Sequence, residues 1–499
     1  MEYVIGIDLG TSSVKALLVD KKGNVAGETT ATYPIFHDHD RYSEQAPDDW
    51  VKETKNVLRE LINKYDLNKD DIKGLSFSGQ MHGLILLNEE NNPLRRAILW
   101  NDTRTNEETK DIEEVIGQNR LWNITKNNPL EGFTLPKLLW VKKNEPLIYK
   151  QATTFLLPKD YVRYRLTGRM GIDLSDAAGT LMLDLNKNEW STEILEELGI
   201  PHHLCPPVFP SDTYCGGLLE GVAEEIGLSK DTKVFAGGAD NACGAVGAGI
   251  LSKGKTMCSI GTSGVLLTYA GEEKTHFNGD LHFFNHAPDG KYYAMGVTLA
   301  AGYSLQWFKE VFLKEQDFSE CIAATASLPV GSRGLLFTPY LVGERTPHID
   351  PFVRGSFIGM DSSHRKEEFL KAIMEGITFS LKESLDIIQE NGMEIDTVIA
   401  IGGGAKSEVW LQMQADIFGK KVVSLTNEQG PAMGAAIIAA TGCQWFSSLH
   451  EAAQNWVKEG TIVTPQPSNV KEYEKLYPLY KKVYHHTKGI TKELAEFRV

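Results

Sequence analysis

Two short segments built alike, half a chain apart, constrain this sequence most. Gly10-Thr11-Ser12 follows the apolar run Tyr3-Val4-Ile5-Gly6-Ile7-Asp8-Leu9, and Gly261-Thr262-Ser263 follows Met257-Cys258-Ser259-Ile260. A second run rich in β-branched and aliphatic residues comes after each, 13–19 and 265–269, so both segments predict β-hairpins. Glycine and small hydroxyl residues at a turn let several backbone N–H groups face one anion, and the hydroxyls add donors without blocking its approach. Two such turns can grip one polyphosphate from opposite sides. Their spacing predicts an internal duplication. With Gly402-Gly403-Gly404-Ala405 as a third glycine-rich element, the pattern points to a nucleotide-dependent kinase of duplicated architecture.

Composition narrows the partners. The 499 residues, 42% hydrophobic and 23% charged, suffice for two or three packed domains. A formal charge of −15 and the lack of a basic block argue against a nucleic-acid surface, so the substrate is expected to be small. No apolar run approaches the roughly 20 residues that span a bilayer, and Met1-Glu2-Tyr3-Val4 enters a strand directly. A soluble, cytoplasmic protein is the expectation. Cys205, Cys215, Cys243, Cys258, Cys321 and Cys443 form no Cys-x-x-Cys pair and are read as reduced and structural.

Strands and helices alternate in both halves, which makes the fold class α/β. Strands are predicted at 72–78, 84–87, 97–100, 234–236 and 398–401, and helices at 107–116, 368–390, 407–418 and 431–440. The halves are divided at 247, giving domains 1–247 and 248–499. One motif misleads. Residues 249–256 match the G-x-x-x-x-G-K-T phosphate loop, but that loop follows a strand and opens a helix. Here the order is inverted, and Lys253-Gly254-Lys255 is read as a polar turn.

Phosphoryl transfer needs a carboxylate to anchor a metal, a base near the acceptor hydroxyl and donors to neutralise the moving group. Asp8, beside the first turn, is placed to hold Mg²⁺ against the β and γ phosphates of ATP; turn capping is the plain alternative. Lys15 either reaches a phosphate or faces solvent. Asp240 stands in Gly237-Gly238-Ala239-Asp240-Asn241-Ala242, where a strand meets a helix N-terminus, as candidate base or as simple helix cap. That N-terminus lowers a carboxylate pKa, so Asp240 is expected to be ionised at neutral pH and weakly basic. Weak basicity suffices where the hydroxyl proton leaves late.

The chain resembles the FGGY carbohydrate kinases over nearly its whole length. The resemblance rests on Gly6-Ile7-Asp8-Leu9-Gly10-Thr11-Ser12, Gly79-Gln80-Met81-His82-Gly83, Ile98-Leu99-Trp100-Asn101-Asp102 with Arg104, Leu157-Pro158-Lys159-Asp160-Tyr161 and Ser175-Asp176-Ala177-Ala178-Gly179-Thr180. It rests equally on the Asp240 and Gly261 segments, Gly343-Glu344-Arg345-Thr346-Pro347-His348, and Gly402-Gly403-Gly404-Ala405-Lys406-Ser407. It implies two ribonuclease-H-like domains of the actin, sugar kinase and heat-shock chaperone type, with ATP and sugar in the cleft between them. It further implies Asp240 as catalytic base, Met81 and His82 as sugar contacts, Asp8 as the metal-associated aspartate, and residues 402–405 with Ser407 at the adenosine. Homodimers, common in the family, are implied as possible.

Chemistry supports these roles. Met packs on a sugar's carbon face, and imidazole hydrogen-bonds a hydroxyl. Trp100, Asn101 and Asp102 can complete a sugar pocket, although Asp102 reads equally as a helix N-cap. Asn241 is placed to hold a neighbouring hydroxyl, and Thr11, Ser12, Thr262 and Ser263 to donate to phosphates. The implied reaction is ATP-dependent phosphorylation of the C5 hydroxyl of D-xylulose. A related kinase acting on ribulose, gluconate or glycerol, or an actin-like ATP-binding protein without enzymatic activity, is the alternative. No role follows from the sequence for residues 343–348.

Overall fold

The computed structural model describes residues 1–313 and 316–498. The first half builds a sheet from β1 (Tyr3–Leu9), β2 (Ser13–Asp20), β3 (Val25–Thr32), β4 (Ile72–Gly79), β5 (Lys233–Val234) and β6 (Gly238–Ala239). Their order is β5-β4-β1-β2-β3, with β6 pairing the end of β4. β1 runs antiparallel to β2 and parallel to β4, and two thirds of the residues of β1 and β2 are buried, with none exposed. Helix α1 (Pro47–Lys64) covers this sheet. Proline at its start and Asp48 and Asp49 in its first turn suit a helix N-terminus, and Trp50, Val57, Leu58 and Leu61 form its buried stripe. Two further helices, α2 (Pro158–Thr167) and α3 (Leu174–Ala178), lead towards α4 (Asp240–Gly247), which begins where β6 ends.

The second half repeats the plan. β7 (Gly254–Ile260), β8 (Gly264–Gly271), β9 (His282–Asn285), β10 (Tyr292–Thr298), β11 (Ile395–Gly402), β12 (Lys421–Leu425) and β13 (Glu459–Val463) lie in the order β9-β10-β8-β7-β11-β12-β13. The segment β12-β11-β7-β8-β10 matches β5-β4-β1-β2-β3 in order and in every strand direction. The duplication expected from the two turns is therefore a duplication of whole sheets. Helix α5 (Lys366–Glu390) begins with a reciprocal cap in which Glu368 accepts from the Arg365 N–H. It buries seventeen of its residues, and α6 (Glu408–Phe418) packs beside it.

Helix α7 (Pro431–Gly442) belongs to the second half by sequence but packs on β1, β4 and α4 of the first. Small residues make this possible. A Cβ on Gly434 would stand 1.9 Å from the Cys243 carbonyl oxygen, and one on Gly6 2.0 Å from that of Ala432. The chain passes between the sheets at three points that lie together: Gly247 meets Gly430, and Gly249 lies against Val457 just ahead of β13.

Most predicted elements are present. The strand expected at 97–100 is only Ala97–Ile98, because Leu99 turns its N–H to the Ser43 carbonyl and Asp102 folds back on Leu99. Residues 249–256 make a turn entering β7, with no helix after it, as the inverted context of that motif required. All six cysteines are free. No helix among the described residues is long and apolar enough to cross a membrane.

Candidate active site

Both aspartates stand at the same end of the first sheet's strands. Asp8, next to last in β1, is paired in register with Lys15 on β2 and Ser78 on β4. β6 pairs Gly238 with Ser78 and Ala239 with Gly79, which delivers Asp240 to the same place. Burial pushes the Asp8 carboxyl above its ordinary value, with Ser78 and Lys15 pulling the other way. Its Oδ1 is buried without a hydrogen-bond partner among the described residues.

Asp240 corrects an expectation. It is the first residue of α4 and Ala239 is the cap, yet burial and then the Asp8 carboxylate push its pKa up to about 7. The short helix favours the charge, but loss of water and a like charge outweigh that. One oxygen accepts from the Asn241 backbone N–H at 2.6 Å and side-chain Nδ2 at 2.9 Å, leaving the other without a protein partner among the described residues.

Asp240 and Asn241 face a cavity of about 220 Å³ that both halves line. That is below the roughly 300–1,000 Å³ of pockets for drug-sized ligands, so the occupant is small. Met81, His82 and Trp100 come from the first half; Ser263, His282 and Arg345 come from the second. His82 donates from Nδ1 to the Gly179 carbonyl at 2.6 Å. Burial, then the Lys137 charge, hold its pKa near 3, so the ring is neutral and Nε2 is an acceptor. The Lys137 ammonium, itself lowered by burial to about 7, holds the His82 and Gly132 carbonyls at 3.0 and 2.7 Å. The Met81 sulfur lies 3.7 Å from Asn241 Nδ2, and the Trp100 indole donates to the Thr11 hydroxyl at 2.9 Å, tying the first Gly-Thr-Ser turn to the cavity wall.

Two expected sugar contacts do not line the cavity. Asn101 is exposed. Asp102 is fully buried and accepts from Arg104 and from the Ser43 N–H at 2.6 Å. The guanidinium two residues on captures this carboxylate. Nor does Asp102 cap the following helix, whose cap residue is Thr105. Lys15 bonds Gln429 at 2.7 Å and pairs with Glu28 at 2.8 Å, so its ammonium is neither bare to solvent nor free.

Each turn is closed by its glycine N–H, Gly10 to the Ser13 carbonyl three residues on and Gly261 to the Ser263 carbonyl two residues on, both at 3.0 Å, so the second turn is one residue tighter. The hydroxyls of Ser12, Thr262 and Ser263 have no protein partner among the described residues and are available to a ligand. Ile260 pairs with Gly402 in register, which places the glycine cluster beside the second turn. Gly402 adopts φ +74° and would bring a Cβ to 2.7 Å from the Ile260 carbonyl oxygen, so only glycine fits. Gly403–Ala405 forms one tight turn. Ser407 is occupied: its hydroxyl caps α6 at the Trp410 N–H.

Asp160, Asp173 and Asp176 cluster closely enough to suggest a metal site. Lys159 fills it instead, 2.7 to 3.0 Å from all three. Asp173 also accepts from the Ser175 and Ser211 hydroxyls, and Ser175 Oγ accepts the Ala239 N–H at 2.9 Å. The cluster thus braces the residue before Asp240. The spacing of 159, 173, 176 and 211 along the chain gives no signal of this, and Arg345 was missed as a cavity residue because nothing local ties it to Met81.

The N-terminal domain of the FGGY family of carbohydrate kinases matches residues 3–247, and the C-terminal domain matches residues 256–443. The chain belongs to this family. The xylulose kinase of Bacillus subtilis (strain 168) is 54% identical over 498 residues, covering 100% of both chains. A ligand-bound xylulose kinase from Lactobacillus acidophilus has TM-score 0.93 at 26% identity, and a gluconate kinase from the same organism 0.92 at 27%, each covering 98% of both chains. As an FGGY carbohydrate kinase the protein is a phosphotransferase with ATP as co-substrate. Kinases named for different sugars share this fold, so fold alone does not select the acceptor.

Proposed function

We propose that this FGGY kinase transfers the γ-phosphoryl group of ATP to the C5 hydroxyl of D-xylulose. The observation that carries the reaction is the small two-sided cavity with Asp240 on its wall, one carboxylate oxygen free and its pKa raised to about 7. The sugar rests on the curated relatives named xylulose kinase, at 54% identity over the full chain in one case.

Asp240 accepts the hydrogen bond of the C5 hydroxyl, orients its oxygen towards the γ phosphorus and takes its proton as the O–P bond forms and ADP leaves. Met81 packs on the carbon chain, and His82 Nε2 accepts from a sugar hydroxyl. Thr11, Ser12, Thr262 and Ser263 donate to phosphates, while residues 402–405 lie against the adenosine. The buried, unpartnered Asp8 oxygen, on a carboxyl whose charge acts on Asp240, fits a hard divalent cation. Asp8 would hold Mg²⁺, which would neutralise charge on the phosphates. The division into 1–247 and 248–499 assigns sugar and base to one domain and adenosine to the other, with the cavity shared.

The test is sugar-dependent ADP release across D-xylulose, D-ribulose, L-ribulose, gluconate and glycerol. D-xylulose is expected to be preferred. Preference for another acceptor would overturn the sugar assignment and leave Asp240 as base.

A further inference from the structure

We infer that Arg345 reads the ketone of the acceptor and so selects a ketose over the corresponding polyol. The inference rests on D-xylulose as acceptor.

Arg345 differs from the other inward-facing guanidinium groups. Arg95 is held by Glu44 and Glu145, Arg104 by Asp102 and Glu44, Arg163 by Asp160 and the Gly171 carbonyl. The Arg345 side chain lines the cavity and has no hydrogen bond or ion pair among the described residues. Glu344 and Glu131 act on its charge from nearby, but neither forms an ion pair with it among the described residues. Glu344 turns away to the end of β10, accepting from the Thr298 hydroxyl at 2.6 Å, the Leu299 N–H at 3.1 Å and the Arg345 backbone N–H at 2.8 Å. Thr346 adds bonds in both directions to Val297, 3.0 and 3.1 Å. The segment is pinned, and Arg345 projects from a fixed base.

Asp240 and Arg345 line the same cavity, with His82 and His282 also in its wall. Bare Gly132 backbone lies beside the guanidinium. With C5 at Asp240, the C1–C2 end of the sugar extends towards Arg345. A guanidinium only donates and presents a planar fork; a ketone oxygen only accepts, with both lone pairs in the carbonyl plane. A hydroxyl in the ketone's place must also dispose of its own hydrogen, for which the guanidinium offers no acceptor, so that hydrogen competes with the other sugar hydroxyls for His82 Nε2.

The test compares kcat and KM for D-xylulose and xylitol in the wild type, Arg345→Met and Arg345→Lys, with melting temperatures. In Arg345→Met, kcat/KM for D-xylulose is expected to fall about 10²-fold, mainly through KM, and that for xylitol by less than about 5-fold. Arg345→Lys keeps the charge without the fork and is expected to lose about 10-fold in the preference for D-xylulose. It decides the matter if the Met variant fails to fold. Equal losses on both acceptors, or an unchanged preference in Arg345→Lys, would overturn the assignment. A wild type that does not use D-xylulose overturns the parent reading as well, whereas a xylulose-preferring wild type with equally selective variants overturns only the role of Arg345.

Discussion

On Asp240 a helix N-terminus favours negative charge, while burial and Asp8 oppose it and prevail. In its proposed role as base Asp240 works ionised, so kcat/KM is expected to fall as pH drops through about 7, the apparent value belonging to the Asp8–Asp240 pair. A pH profile flat from 5.5 to 8 would contradict this. The same shift bears on stability. The folded pKa lies above the ordinary 3.8, so the folded state binds the proton more tightly, and stability declines as pH rises from about 4 to about 7. Asp240→Asn should therefore lower turnover by at least about 10²-fold while raising the melting temperature at pH 8 by a few degrees, with less change at pH 4. A variant destabilised at pH 8 would show that the carboxylate is not under strain. Asp8 and Asp240 were legible in the sequence because each adjoins glycines at a strand end. The raised pKa was not, since it depends on a partner 232 positions away that only the sheet register brings near.

Among the elements, one ammonium group joins α2 to α3, and the Ser175 hydroxyl carries the contact on to β6. Replacing Lys159 by Met would leave Asp160, Asp173 and Asp176 buried together without their counter-charge, a loss of about 3–5 kcal/mol. Denaturant unfolding reads this directly, and a loss below about 1 kcal/mol would mean that the carboxylates relax by protonation. The expected hairpins formed because β-branched runs flank glycine turns. The short strand Ala97–Ile98 was overcalled because Leu99 and Trp100 carry strand-like side chains while their backbone follows Ser43 and the Asp102 loop. Apolar pattern reports what is buried, not which carbonyl an N–H finds.

At the scale of the molecule, the duplication was readable from two turns, but the path of α7 was not: an all-apolar helix is equally suited to either sheet. Its packing leaves no room for a side chain at Gly434. Gly434→Ala should force α7 and α4 apart, lowering the melting temperature by several degrees and, because Asp240 heads α4, reducing turnover as well. Unchanged melting and turnover would show that the helices separate without cost. The cavity carries a different consequence. Its wall is contributed by both sheets, which the chain joins at a single locus near Gly247, Gly249, Gly430 and Val457. Neither half alone encloses this cavity. On the proposed function an acceptor filling it touches both halves at once, and water, too small to do so, is expected to be a poor acceptor of the phosphoryl group.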